Sequence, residues 1–480
     1  MNLKSIFMSM LAVAALASCS NNDDEILGGT QEGKDSSWMG VSVSLPASSF
    51  GTRAADAYDG NAEDIEAAVE KIDIYYEKTD GTVDFVTTFD VGDFNAPVNG
   101  KYTATKAVKV PVAAGETVTL FAVVNKLDIP EGPNYKTFRP NWFKHLGTAA
   151  DPNVNYWEAC SYNLSGVSGE FTMTGTGSGM TYGSEDDALD STTTPPATHA
   201  NIAVSRLVAK VLVTTSEHSS IDVEHGFADN NVNGASGEFQ GNSLKWTIGN
   251  NNRKVYALEK KNGGVVKDPN WDALTGGEDL TKEYDNDGTA KLVPAFSNVP
   301  ATGYADNGGV KTAYVQYCNE NTNETYQYGN TTFISIEAVF IPSKVVTSVS
   351  GSVDDGDYKA DVTNNVMVVD FWYNPVEVKY YTDAAKEAAV TTGGKSASEF
   401  KGPYTGGKCY YFVPITDKDG NIGVLRNNYY TMRINSLKAP GEFKPIPEDP
   451  EIPVVQSSWI SVDFSVAKWN TVSMGDFDLE

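Results

Sequence analysis

The chain has 480 residues, with 63 acidic and 36 basic side chains and a net charge of −27. That balance argues against nucleic-acid binding and against anionic membrane surfaces, and the length exceeds what one core usually fills, so two domains are expected. Abundant Gly (43), Tyr (24) and Phe (20), with many Val and Thr, point to an all-β fold.

Residues 1–18 read as an export signal: Lys4, then an apolar run over residues 6–16 that is too short to span a bilayer. It ends Leu16-Ala17-Ser18-Cys19, which resembles the lipobox of bacterial lipoproteins. That resemblance implies a diacylglycerol on the Cys19 thiol and cleavage just before it. Residues 20–25 then form a polar, acidic tether with nothing to bury.

Val41, Val43 and Leu45 alternate with Ser42 and Ser44, the period of a strand with one buried face, and Pro46 stops it. Arg53, the first of only six arginines, follows among Gly51, Thr52, Ala54 and Ala55. Two readings are open: an ordinary surface arginine behind a first strand, or a single basic cleavage point behind a segment that can be removed whole.

Residues 61–70 carry a plausible N-cap and an acidic first turn, so a short helix is expected. Ile72, Ile74 and Tyr76 alternate up to Asp80-Gly81, and Val83 and Phe85 return, a hairpin pattern. Val108, Val110 and Val112 form another strand, and Leu120 to Val124 is apolar on both faces, as in a strand covered on both sides. Residues 135–162 are aromatic and irregular. Residues 175–200 are rich in Gly, Ser, Thr, Asp and Pro, and the domain boundary is expected near their end.

One long strand is expected over residues 202–214, then a loop-rich insertion over about residues 226–310. Strand-like runs follow at 331–341, 362–378, 408–415 and 423–435, the last two flanking Asp419-Gly420. Residues 440–453, with Pro440, Pro445, Pro447, Pro450 and Pro453, read as a semi-rigid connector. In the tail Ile460, Val462, Phe464 and Val466 alternate with polar residues, and Trp469, Val472, Phe477 and Leu479 follow.

No catalytic constellation emerges. Four histidines form no H-E-x-x-H, and no G-x-S-x-G is present. Gly394-Lys395-Ser396 mimics only the end of a phosphate loop. The Asp417 run lacks the glycine and glutamate of a calcium loop and suits a hairpin turn better. Cys160, Cys318 and Cys409 are odd in number and widely spaced, so they read as buried free thiols or at most one bridge. No cofactor, metal or enzymatic activity is expected.

The lipobox, tether, first strand, Arg53, two β domains and the ending Trp459 to Leu479 together resemble the Bacteroidales fimbrillins, and more closely the major stalk subunits of Mfa-type fimbriae, the type V pilins. The resemblance is most specific at the two ends, in the lipobox with Arg53 and in Tyr429-Tyr430-Thr431-Met432-Arg433-Ile434-Asn435 with Trp469-Asn470-Thr471-Val472. It implies two transthyretin-like β-sandwiches, at residues 54–199 and 200–456, behind a signal peptide (1–18) and a propeptide (19–53). It also implies an outer-membrane lipoprotein precursor cut between Arg53 and Ala54 by an arginine-specific protease. Loss of the strand holding Val41, Val43 and Leu45 then opens a groove that the tail of another copy (457–480) fills. The partners so implied are copies of the chain and accessory fimbrial subunits.

Three fates remain open for the tail: it completes its own sandwich, it leaves for a neighbour, or it is divided, the 460–466 part staying and the part from Trp469 onward being donated. Two other readings of the whole chain are a tip or anchor adhesin, and a glycan-binding surface lipoprotein using the aromatics at 135–162.

Overall fold

The computed structural model describes residues 36–45, 69–78, 83–98, 101–125, 157–158, 171–190, 198–215, 237–239, 244–252, 254–269, 297–298, 304–307, 310–313, 315–342, 344–350, 353–355, 370–417, 420–437, 439–445, 447, 451–454 and 460–468. The all-β expectation is borne out.

The N-terminal half is built from β1 (Ser37–Met39), β2 (Val41–Ser44), β3 (Lys71–Glu77), β4 (Val83–Asp90), β5 (Lys101–Thr103), β6 (Val108–Val110), β7 (Thr117–Val124), β8 (Trp157–Glu158), β9 (Met173–Met180), the short helix α1 (Glu185–Leu189) and β10 (Ala200–Arg206). Seven of these strands form one sheet in the order β4-β3-β7-β9-β10-β2-β5, while β1 and β6 pair separately. Both sheets feed one core that contains Met39, Val41, Val43, Ile72, Ile74, Val108 and Val110. The β3–β4 hairpin forms as its alternation dictates, and Leu120 to Val124 is buried on both faces. Of the helix expected at 61–70, only Val69 and Glu70 are described, and they are not helical.

The C-terminal half comprises β11 (Val208–Thr215), β12 (Gly237–Phe239), β13 (Lys245–Gly249), β14 (Lys254–Val255), β15 (Ser297–Asn298), β16 (Val315–Asn319), β17 (Phe333–Pro342), β18 (Phe371–Asn374), β19 (Lys379–Tyr381), α2 (Asp383–Thr391), β20 (Lys401–Tyr404), β21 (Lys408–Pro414), β22 (Asn428–Leu437) and β23 (Ile460–Lys468), with some two-residue to four-residue ribbons between them. One sheet runs β16-β11-β22-β23. The other centres on β17, which pairs with β12 and β13 along one edge and β21 along the other. Trp246, Ile334, Ile336, Phe340, Tyr411, Tyr430 and Met432 fill the core between them.

Two expectations are corrected here, and one Gly-rich stretch has a structural role. Residues 175–180 form part of β9, in the middle of the seven-stranded sheet. Its glycines let strands meet: a methyl group on Gly177 would run into the backbone of Asn201 on β10. Residues 202–214 are not one strand. They change sheets at Leu207, so β10 serves the first half and β11 the second. The stretch at 226–310 is not only loops, because β13 lies in the second core and carries a fully buried Trp246.

The two halves share buried surface. On β11, Ala209, Val211 and Val213 face the second core, while Val208 and Leu212 join the first, together with Val255, Ala257 and Tyr429. A strand covered on both faces reads as a continuous apolar run, which residues 207–213 do but for Lys210. At this junction Arg426 meets Glu320 through two bonds, Nε to Oε2 at 3.1 Å and Nη2 to Oε1 at 3.0 Å, both side chains being buried. Arg426 Nη1 also donates to the carbonyl of Ala257 at 3.4 Å, and that oxygen accepts from Thr174 Oγ1 on β9. Arg206 donates to Asn427 Oδ1 at 3.4 Å, and Asn427 N donates to Val208 O at 2.9 Å.

Glu320→Gln should destabilise the chain by about 3–5 kcal/mol, because it leaves a buried guanidinium without its counter-charge. Glu320→Leu combined with Arg426→Met should cost much less. Urea unfolding of the three proteins followed by tryptophan fluorescence measures both.

Candidate assembly site

Residues 37–45 are the part of the chain most unlike a simple first strand. The sequence alternation predicts one strand; the segment is two, and they belong to different sheets. β1 pairs antiparallel with β6, with Ser37 opposite Val110 and Met39 opposite Val108. Its other side is taken by Tyr182, whose backbone exchanges two hydrogen bonds with Trp38 at 2.7 and 2.8 Å. β2 then lies inside the seven-stranded sheet, parallel to β10 and antiparallel to β5. Val41 stands opposite Ala200, and Val43 opposite both Ile202 and Tyr102.

Val41 and Val43 are fully buried and Leu45 nearly so, as their spacing predicts. Ser42 is buried too, against expectation; its hydroxyl donates to Thr103 Oγ1 at 3.4 Å. Across this strand Lys101 Nζ on β5 donates to Asn201 Oδ1 on β10 at 2.7 Å, a side-chain link spanning the strand between them.

Gly40 carries the chain from one sheet to the other. A methyl group there would stand 2.5 Å from Cδ2 of His199 and 2.7 Å from the carbonyl oxygen of Ala188. Ala200 N donates to Gly40 O at 2.9 Å and fixes the crossing point. His199 is half-buried, and its proton affinity is lowered first by burial and then by Lys101. Sequence reasoning passed over Gly40 and His199. The signal available was a glycine between two apolar runs, Trp38-Met39 and Val41 to Leu45.

At the other end, β23 pairs along its whole length with β22 of its own chain, from Asn428 opposite Lys468 to Leu437 opposite Ile460. Ile460 is buried in the second core and Val462 packs against it, while Phe464 and Val466 sit opposite Met432 and Tyr430 in the ladder. These four positions, expected as donor-strand residues, are thus seated at home, on the edge of the four-stranded sheet. The described parts of the connector at 440–453 are bonded to the same half. Glu442 exchanges two backbone bonds of 2.7 Å with Tyr410, and Ile452 and Val454 bond the backbone of Tyr328 and Tyr326 at 3.1 Å.

Cys19, Arg53 and Ala54 lie outside the described residues, as do Trp469, Val472, Phe477, Leu479, Cys160 and most of 135–162. The remaining thiols, Cys318 and Cys409, are free and buried. Burial pushes the Cys409 thiol up to about 12 and raises that of Cys318 as well, so both stay protonated and unreactive. Lys395, in the phosphate-loop mimic, is committed to Glu377 Oε2 at 2.7 Å and Tyr381 Oη at 2.8 Å. Asp417 accepts from the Asn421 backbone and side chain, both at 2.9 Å, closing the expected hairpin turn. Among the described residues no group of three or more His, Cys, Asp or Glu side chains could hold a metal.

The strands that close the second sandwich carry a family match. Residues 403–474, which contain β21, β22 and β23, match the family model of the major fimbrial subunit protein type IV, fimbrillin, C-terminal. That match supports a fimbrial subunit and bears out the resemblance seen in the sequence, over a C-terminal region of the chain. Three solved structures are similar to it. A candidate cell adhesion protein from Parabacteroides distasonis is 14% identical with a TM-score of 0.45, covering 91% of this chain and 99% of that one. A fimbrilin (FimA) from Porphyromonas gingivalis is 15% identical, with a TM-score of 0.42 and the same coverage. The tip fimbrial protein Mfa3 from Porphyromonas gingivalis is 12% identical with a TM-score of 0.34, covering 90% of this chain and 100% of that one. No curated protein matches the sequence.

Because His199 holds its proton less tightly when folded than the ordinary histidine value of 6.5, the unfolded chain takes up that proton first as pH falls. Its stabilising contribution is complete above 6.5 and is lost as pH drops through the lower folded value. Thermal melts of the wild type and His199→Gln at pH 8 and pH 5 should show the wild type losing more on acidification.

Proposed function

We propose that the chain is the structural stalk subunit of a cell-surface fimbria, exported as an outer-membrane lipoprotein on Cys19, cut after Arg53 and polymerised by donation of its C-terminal tail. The observation that carries this reading is the seat of residues 37–45. A strand paired on both sides and buried on its apolar face leaves, on removal, unpaired N–H and C=O groups above an apolar trough. Arg53 lies eight residues beyond Leu45, so one cut by an arginine-specific protease frees the whole segment. A second copy supplies the replacement.

The home pairing of β23 favours the tail beyond Lys468 as the donated part, since withdrawing β23 would strip its own second core of Ile460. Accessory fimbrial subunits and the outer membrane, through the precursor's lipid, complete the set of partners. The assembled fibre serves adhesion and biofilm formation.

Truncation after Lys468 should leave a soluble, cooperatively melting protein that forms no filaments after cleavage at Arg53, as judged by electron microscopy. Filaments from the truncated chain would end the reading. N-terminal sequencing of wild-type filaments should begin at Ala54, and Cys19→Ala should abolish lipid labelling of the precursor.

A further inference from the structure

The crossing point at Gly40 restricts what can replace residues 37–45. A chain that keeps the backbone path of residues 40–44 to the crossing meets the ring of His199 and the carbonyl of Ala188, which a methyl group on Gly40 would already approach to 2.5 and 2.7 Å. The next two seats along β2, those of Val41 and Val43, are fully buried and demand apolar side chains two residues apart.

The twelve residues after β23, 469–480, contain two apolar pairs with that spacing, Val472 with Met474 and Phe477 with Leu479. Placing either pair in the two seats, in either chain direction, gives four registers. In the direction of β2 itself, the Val472 pair puts Thr471 at the crossing and the Phe477 pair puts Asp476 there. In the reverse direction, the Phe477 pair puts Glu480 there. Only the reverse register with Met474 at the Val41 seat and Val472 at the Val43 seat brings a glycine, Gly475, to His199. The same register places the hydroxyls of Ser473 and Thr471 where those of Ser42 and Ser44 stand, the former within reach of Thr103.

We infer that residues 471–475 of a second copy fill the β2 seat in this reversed register, with Gly475 as the specificity-determining residue at the crossing; this rests on the donor-strand reading above. Asp476 would then meet the buried seat of Met39, so the inserted run ends at Gly475. Phe477 and Leu479 lie beyond it and take no part in filling β2.

The test uses the full chain cleaved at Arg53, with filament yield scored by electron microscopy and with circular-dichroism melts run on each uncleaved precursor. Gly475→Val should lower filament yield by about tenfold or more, since overpacking a tight site costs that much. Met474→Asp should do the same, while Phe477→Asp should polymerise as the wild type does, and all three precursors should melt alike. If truncation after Lys468 abolishes filaments but Gly475→Val polymerises normally, or Phe477→Asp blocks assembly, this register is wrong and the donor-strand reading stands. If the truncated chain still forms filaments, the donor-strand reading itself fails, and this inference with it.

Discussion

An interior position of a β-sheet has two edges to satisfy, and the seven-stranded sheet of this protein fills one such position with residues that precede Arg53. β2 takes backbone bonds from β10 on one side and β5 on the other, while Val41 and Val43 plug the core beneath. Water can satisfy the exposed N–H and C=O groups of an emptied seat, but it cannot cover the apolar floor. The N-terminal core therefore depends on having a strand there with apolar side chains at the positions of Val41 and Val43.

The same logic explains the asymmetry between the two ends of the chain. β23 also supplies an apolar residue to a core, through Ile460, but it sits on a sheet edge and is bound along one side only. An edge strand adds to a core already enclosed by β11 and β22, whereas β2 bridges the backbones of two neighbours that otherwise meet through the side chains of Lys101 and Asn201. The connector before β23, strapped at Glu442 and again at Ile452 and Val454, keeps the returning strand in the register set by Leu437 and Ile460.

Much of the architecture was legible from alternation alone: β3 with β4, β7 and β21 fall where period-2 patterns put them, while β22 begins at Asn428 rather than at 423. The failures share a cause. Gly175, Gly177 and Gly179 look like turn residues leading to a domain boundary, yet here glycine lets β9 and β10 approach closely. The run at 207–213 looks like the heart of one domain because it is apolar on both sides, yet the second face serves the other half. Of the candidate site, Val41, Val43 and Leu45 were readable as an apolar face, while the crossing at Gly40 and its contact with His199 depend on a residue 159 positions away. No local pattern encodes a contact of that kind.

The change of sheets at Leu207 has a mechanical meaning. β10, which lines the seat of β2, continues after a single residue into β11; β11 bonds β22, and β22 bonds β23, whose last residue Lys468 stands opposite Asn428. Asn428 follows Asn427 and Arg426, the residues that tie the two halves together. In a fibre joined from tail to groove, tension entering at one subunit's seat would leave by its tail along this short line of laddered strands. The sheet centred on β17, the helix α2 and the proline-rich connector all lie off that line. In such a fibre they would vary in shape and surface without carrying the pull.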